Sequence, residues 1–227
     1  PVVEEIQQNQ ELPPLDLEVD AFHTNPIWTF AEDVVRDGET VFHAGHVMVC
    51  WRNMDTIAVI DPATETVVWH WGAGELDRPH HPTLLDNGNL LIFDNGKERR
   101  EWSRVVEVDP VSGEIVWEHR GDPKESFYSS SRGAAQRLPN GNTLVTDSMT
   151  GRVFEVTPEG ETVWEYFESR TRKRYLRVER ATIYRMMRIP QWPLEEAPVE
   201  DSAPLGEGKS SEDSPAAGEE ASGGSPN

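Results

Sequence analysis

IDPATETVVWHW (60–71), VDPVSGEIVWEH (108–119) and VTPEGETVWEY (156–166) are one pattern written three times. Asp61, Asp109 and Thr157 stand 48 residues apart, and Trp69, Trp117 and Trp164 follow at nearly the same period. A second pair repeats ahead of the last two copies: TLLDNGNLLIFD (83–94) and QRLPNGNTLVTD (136–147). Each unit therefore reads as four short strands, in the middle unit 81–85, 89–94, 104–109 and 114–119. Asn87-Gly88 and Asn140-Gly141 suit tight hairpins, because both residue types accept positive φ. Ser112-Gly113 and Glu159-Gly160 turn the third strand into the fourth. A period in the upper forties with four strands per unit predicts an all-β fold, a β-propeller of four-stranded blades. The repeated Trp on each last strand has a structural task, since a large ring there wedges between neighbouring blades and buries apolar area.

The flanks are less regular. In the first unit the inner strand is expected to start near His23, with 26–42 as an inserted loop and strands at 45–51, 56–60 and 66–71. After the third unit, ATIYRMMRI (181–189) reads as one more strand. About three blades result, whereas closed propellers have roughly four to eight. Two sheet faces stay open, so the missing blades are expected from upstream sequence or from another chain, and unpaired edges favour self-association. The expected layout is a connecting arm over 1–22, blades over 23–190, and an acidic tail over 191–227. That tail, rich in Pro, Ser, Gly and Glu, is expected to be disordered because it holds too little apolar surface to offset ordering entropy.

The chain has 227 residues and a formal net charge of −20, which argues against general binding to nucleic acid or an anionic membrane. The basic run SRTRKRYLRVER (169–180) lacks the interleaved aromatics of a nucleic-acid surface and reads as a solvated edge pairing with carboxylates. Cys50 is the single cysteine, so no intrachain disulfide forms, and its apolar run predicts burial. No apolar run is long enough to span a membrane.

The histidines divide by position. His23 and His80 stand at the start of inner strands, and Arg132 occupies the related place in the third unit. Inner strands of a propeller line one central channel, so these side chains are placed to face each other. Arg52, at the end of a second strand, reaches inward or bridges to Asp55 at the surface. His81 is expected to point away from His80, as strand neighbours do. His43 and His46 have an H-x-x-H spacing but no evident third ligand, so no metal site is expected there. His70 and His119, beside the blade tryptophans, read as outer-strand surface groups.

FHTN (22–25), CWRNMDTIAVID (50–61), PHHPTLLDNGNLLIFDNG (79–96), the stretch 129–166 and the closing ATIYRMMRIP (181–190) together resemble, in their order, the C-terminal half of the arylsulfotransferase propeller family. The ordered set of H-x-N, RN and a His before the NGN hairpin carries the resemblance. It implies transfer of a sulfuryl group from an aryl sulfate to a phenol through a sulfohistidine, with no cofactor, outside the cytoplasm. By position it implies that His80 is the sulfated histidine, that His23 is the upstream site histidine and that Arg52 is the site arginine. Asn25 and Arg132 are then expected to bind substrate. Two departures stand out: His81 follows His80 where the family commonly has Asp, and the family's further histidine in an earlier blade has no counterpart here.

The residues suit that chemistry. Sulfuryl transfer resembles phosphoryl transfer in shape, so positioning and electrostatic stabilisation dominate. Neutral imidazole is a competent nucleophile near neutral pH, and an Arg fork grips two sulfate oxygens. Two other readings compete. A non-catalytic propeller scaffold predicts no sulfuryl adduct. A quinoprotein-like dehydrogenase requires more blades, a metal site and a stacking platform, none of which the sequence offers.

Overall fold

The structure, a computed structural model, describes residues 20–36, 38–174 and 177–189. Residues 1–19 of the expected arm and the whole expected tail lie outside the described residues. Three four-stranded antiparallel sheets follow one another along the chain. Blade 1 consists of β1 (Thr24–Thr29), β4 (Val47–Trp51), β5 (Thr56–Asp61) and β6 (Thr66–Trp71), with the hairpin β2 (Val34–Arg36) and β3 (Glu39–Phe42) inserted after β1. Blade 2 consists of β7 (His80–Leu84), β8 (Leu90–Asp94), β9 (Arg104–Val108) and β10 (Ile115–Arg120). Blade 3 consists of β11 (Ala134–Arg137), β12 (Thr143–Asp147), β13 (Arg152–Val156) and β14 (Thr162–Phe167). A last hairpin pairs β15 (Thr171–Arg174) with β16 (Arg177–Arg180). The first strands β1, β7 and β11 approach one another, as innermost strands around one axis do.

The core lies between the blades. β8 reads LLIF without alternation because both of its faces are covered. Leu90 and Ile92 join Met48, Ile57 and Val59 of blade 1 in one buried cluster, while Leu91 and Phe93 join Val145 and Phe154 of blade 3 in another. Cys50 is fully buried in the first cluster, and burial raises its thiol pKa. The tryptophans repeat one contact across these seams. Trp69 donates its indole N–H to the carbonyl of Pro110 at 2.9 Å, and Trp117 donates to Pro158 at 2.8 Å. Trp164, the third copy, lies on β14, whose six residues are all exposed, and its N–H has no acceptor among the described residues. We expect Trp117→Phe to cost ~1 kcal/mol in urea unfolding for the lost hydrogen bond. Trp164→Phe should stay within about 0.5 kcal/mol of the parent.

Several expectations need correction. Residues 26–42 are not one loop: 26–29 belong to β1, and the β2–β3 hairpin turns Phe42 inward, where its ring stacks on Phe30 at 5.1 Å. Residues 181–189 form no strand: their backbone bonds, Ala181 N–H to the Arg170 carbonyl and Ile183 N–H to the Ser148 carbonyl, make no continuous ladder, and side chains meet other polar groups of the stretch. His119 is not a surface group. It is 8% exposed, with Phe154 at 5.7 Å and Phe127 at 6.2 Å between ring centroids. The basic run needs no correction: along the β15–β16 hairpin it pairs with carboxylates, as Arg170–Glu168 and Arg172–Glu179.

Candidate functional site

The pairing registers fix which residues occupy the same place in successive blades. Asn25 pairs with Cys50, His80 with Phe93 and Ala134 with Thr146, in each case the fourth residue of the second strand. Asn25, His80 and Ala134 therefore share one level of the inner strands. Two residues earlier stand His23, Arg78 and Arg132, all in the left-handed region with φ of 46°, 59° and 61°. Such backbone is uncommon for non-glycine residues and clusters at functional sites. Arg132 thus matches His23 and Arg78 in place, with His80 one level further on. Gly133 follows Arg132 at φ 101°, and any Cβ there would meet the Phe93 ring at 2.4 Å, so only glycine lets the chain pass.

The strand rule fails at His81. A bulge separates His80 from Thr83, which pairs with Leu91, and His81 itself has φ of 50°. A bulge cancels the alternation of sides, so His80 and His81 line one pocket together. Two adjoining pockets, of about 240 and 290 Å³, share Asn25, His80, Arg132 and Tyr184. His23 and Arg52 line the second, and His81 and Arg185 the first. The cleft therefore brings together all five residues that the sequence pointed to. It also holds Tyr184 and Arg185, which sequence reasoning did not place there.

The state of the His80 ring follows from its neighbours. Asn95 is fully buried, and its Nδ2 donates to the carbonyls of Ser129 and Arg132, both at 2.6 Å. Its Oδ1 must then face His80 Nδ1, at 2.6 Å. An amide oxygen only accepts, so Nδ1 carries the proton and Nε2 keeps its lone pair. The Arg132 backbone N–H donates to Nε2 over a long 3.3 Å. Burial lowers the His80 pKa to about 4, with the Arg52 charge acting in the same direction and the Asn95 bond opposing both. The ring is therefore neutral at pH 7, and its Nε2 accepts the long bond from Arg132. Asn95 was missed by the sequence reading. It immediately follows β8, as Arg52 follows β4 and Ser148 follows β12, and aligning the blades there would have found it.

His23 is bound locally: Asp20 accepts from its backbone N–H at 2.8 Å and meets its Nδ1 at 2.7 Å. That ring orientation leaves Nε2 for the cleft. Arg52 does not bridge to Asp55; its Nη1 donates to Asn53 at 2.8 Å. Asn25 Nδ2 is buried without a hydrogen-bond partner among the described residues. His43 and His46 lie elsewhere, with rings 5.4 Å apart and the His46 Nδ1 accepting from the His43 N–H.

Charge sorts the arginines. Among the described side chains, Arg36, Arg78, Arg99, Arg100, Arg104, Arg137, Arg152 and Arg188 all have a carboxylate within 4 Å, as the acidic composition favours. Arg52, Arg132 and Arg185 have none there, and all three line the cleft. Arg180 also lacks one but lies over the Phe167 ring at 4.9 Å. Burial lowers the pKa of Arg52, and the nearby Arg78 adds repulsion. Cations left unpaired in so acidic a chain form a place for an anion.

Burial likewise pushes His81 and His119 from 6.5 to about 4. Between these values the unfolded chain binds more protons than the folded one, so stability falls as the pH drops through that window and levels off below about 4. Urea midpoints measured from pH 7 to pH 4 should decline accordingly, and His119→Phe should flatten part of the decline.

The fold and cleft define a class: β-propeller proteins with a histidine and uncommitted arginines at the centre of the inner strands. The sequence model of the arylsulfotransferase (ASST) family matches residues 8–170, more than half of the chain. The chain belongs to the arylsulfotransferase family. The match begins inside the expected arm and ends before 181–190. No curated protein matches the chain. Solved structures similar to it include a protein of unknown function from Bacteroides caccae (17% identity, 54% of this chain and 42% of that one, TM-score 0.42). Others are Kuenenia stuttgartiensis hydrazine synthase (15%, 70% and 39%, TM-score 0.44) and virginiamycin B lyase from Staphylococcus aureus (16%, 55% and 38%, TM-score 0.40). The chain spans less than half the length of each of these three.

Proposed function

We propose that this protein transfers a sulfuryl group from an aryl sulfate to a phenol through a sulfohistidine at His80. The observation that carries the reading is the fixed tautomer, with Nδ1–H held by Asn95 and the Nε2 lone pair engaged by the long 3.3 Å contact from the Arg132 N–H, which an incoming sulfur would have to displace. In the first step the Nε2 lone pair forms the N–S bond while the S–O(aryl) bond breaks. The aryl oxide leaves with the bond pair and takes a proton from His23 or water. The sulfated ring carries positive charge on the imidazole, and the Asn95 oxygen stabilises the Nδ1–H of that cation. In the second step a phenol oxygen attacks sulfur and gives its proton to the group that lost one in the first step, His23 or water, while the N–S bond breaks and its pair returns to Nε2. Arg52, Arg132 and the unpartnered Asn25 amide supply donors for the sulfuryl oxygens, whose charge such preorganised groups stabilise in the transition state.

The test is release of 4-nitrophenol from 4-nitrophenyl sulfate, followed with and without phenol. Turnover that needs an added phenol and yields phenyl sulfate supports the reading; hydrolysis unaffected by phenol opposes it. One observation favours the scaffold reading instead, namely the partly exposed aromatics of β14, with a Trp164 N–H that has no acceptor among the described residues. A chain that binds further blades or a partner there, and forms no adduct, would be a scaffold.

A further inference from the structure

Residues 181–189 make no backbone ladder, yet their contacts repeat those of the inner strand before them. Asn95 donates to the carbonyl of Arg132, and Ser148, its counterpart one blade on, donates through Oγ to the carbonyl of Ile183. Arg137 pairs with Glu107 and lies over Trp117 at 4.9 Å. Arg188 pairs with Glu155 and lies over Trp164 at 5.5 Å. Glu107 and Glu155 are matched residues of third strands, each also holding the two asparagines of its blade's NGN turn. Arg132 to Ile183 and Arg137 to Arg188 are the same step of 51 residues. Further bonds fasten the stretch in place: Arg188 N–H donates to Gln136 Oε1 at 2.8 Å, and Met186 N–H to Thr146 Oγ1 at 3.0 Å.

That step carries Ala134 to Arg185, and Ala134 shares its level with His80 and Asn25. We infer that 181–189 takes the place of the innermost strand of a fourth blade, and that it brings Arg185 to the centre as a cation that holds the sulfuryl oxygens of the aryl sulfate. The assignment of the anion as a sulfuryl group rests on the function proposed above; the placement of Arg185 does not. Arg185 Nη1 lies 3.0 Å from His81 Nε2, and no carboxylate among the described residues is within 4 Å of its guanidinium. One edge of the fork is thus oriented by His81, which leaves the other donors for a ligand in the pocket they share with His80 and Asn25. This gives His81 a task as a positioning residue. A neutral ring at that place accepts from the guanidinium and keeps its charge available. An acidic side chain there would pair with the cation.

The test compares the full chain with Arg185→Ala, Arg185→Lys and His80→Ala. Binding of 4-nitrophenyl sulfate and of inorganic sulfate is measured by NMR titration, and the sulfuryl adduct by intact mass. Arg185→Ala should bind 4-nitrophenyl sulfate about 10- to 100-fold more weakly, the loss of hydrogen bonds to a charged group. Arg185→Lys should recover part of this, since it keeps charge without the planar fork. The His81 resonance should titrate at higher pH in Arg185→Ala, because the neighbouring cation now depresses it. Unchanged binding in Arg185→Ala, with the adduct still formed at His80, overturns the role of Arg185 and leaves sulfuryl transfer standing. Weakened binding without any adduct in the parent chain upholds the anion site and overturns sulfuryl transfer. A parent chain that binds neither anion overturns both.

Discussion

His80→Ala is expected to abolish sulfuryl transfer, with a loss of roughly 10³- to 10⁶-fold in kcat, the range found when a covalent nucleophile is removed from an otherwise intact site. The expectation rests on geometry. Among the residues of the cleft, His80 combines a largely buried ring, a proton fixed on one nitrogen and, on the other, a lone pair engaged by the long contact from the Arg132 N–H. His23 is the nearest rival, but Asp20 engages its Nδ1 and its side chain is 45% exposed. A half-exposed ring tied to a carboxylate exchanges protons with solvent readily, which suits a proton carrier better than a nucleophile. Folding of the variant is checked by its urea midpoint. The ring hydrogen-bonds to Asn95, Arg78 and Arg132 and belongs to none of the apolar clusters, so the fold should survive its removal.

The second large effect is expected at Asn95. Asn95→Ala removes the nearer of the two acceptors that keep the proton on Nδ1, leaving the Arg78 carbonyl at 3.2 Å, and takes from the carbonyls of Ser129 and Arg132 their shared donor. A wrong tautomer places the proton on the attacking nitrogen, and the loss in kcat should be about 10²- to 10⁴-fold, on the scale seen when a tautomer-setting partner is replaced elsewhere. A merely structural role would be satisfied by Asn95→Asp if the carbonyls found other donors. The positioning role predicts something else. A carboxylate beside Nδ1–H favours the imidazolium, so the acid limb of the pH–rate profile should move upward from about pH 4 in that variant. Heteronuclear NMR of the imidazole nitrogens reads the tautomer directly in both variants.

The blades were legible because their repeat carries its own physics. Asn-Gly turns, a Trp per outer strand and a covered second strand each leave a mark in composition, and boundaries predicted for the middle blade differ from the observed strands by about one residue. Where a strand lost its mark, the reading failed. Val34 and Phe42 contribute to the core from a hairpin too short to show alternation, so residues 26–42 read as a loop. Residues 181–189 have strand composition, but strand status needs a continuous ladder, and the backbone bond from Ile183 N–H to the Ser148 carbonyl is joined by side-chain bonds of Gln136, Thr146 and Ser148 instead of further ladder bonds. The cleft was legible as a set of residue types, His23, Asn25, Arg52, His80 and Arg132, since inner strands must converge. What the sequence hid was orientation. The bulge after His80 turns His81 into the same pocket, and Asn95 fixes a tautomer, which no residue pattern states. His119 was misplaced because an outer-strand position ordinarily faces solvent, whereas Phe127 of the long inter-blade connection covers it here.

The most direct measurement of the central claim is the mass of the intact protein after brief mixing with 4-nitrophenyl sulfate, followed by peptide mapping. The account predicts one sulfuryl group per chain, on the peptide holding His80, lost on addition of phenol and absent from His80→Ala. A sulfuryl group mapped to another residue, or 4-nitrophenol released as fast by His80→Ala as by the parent, would contradict it.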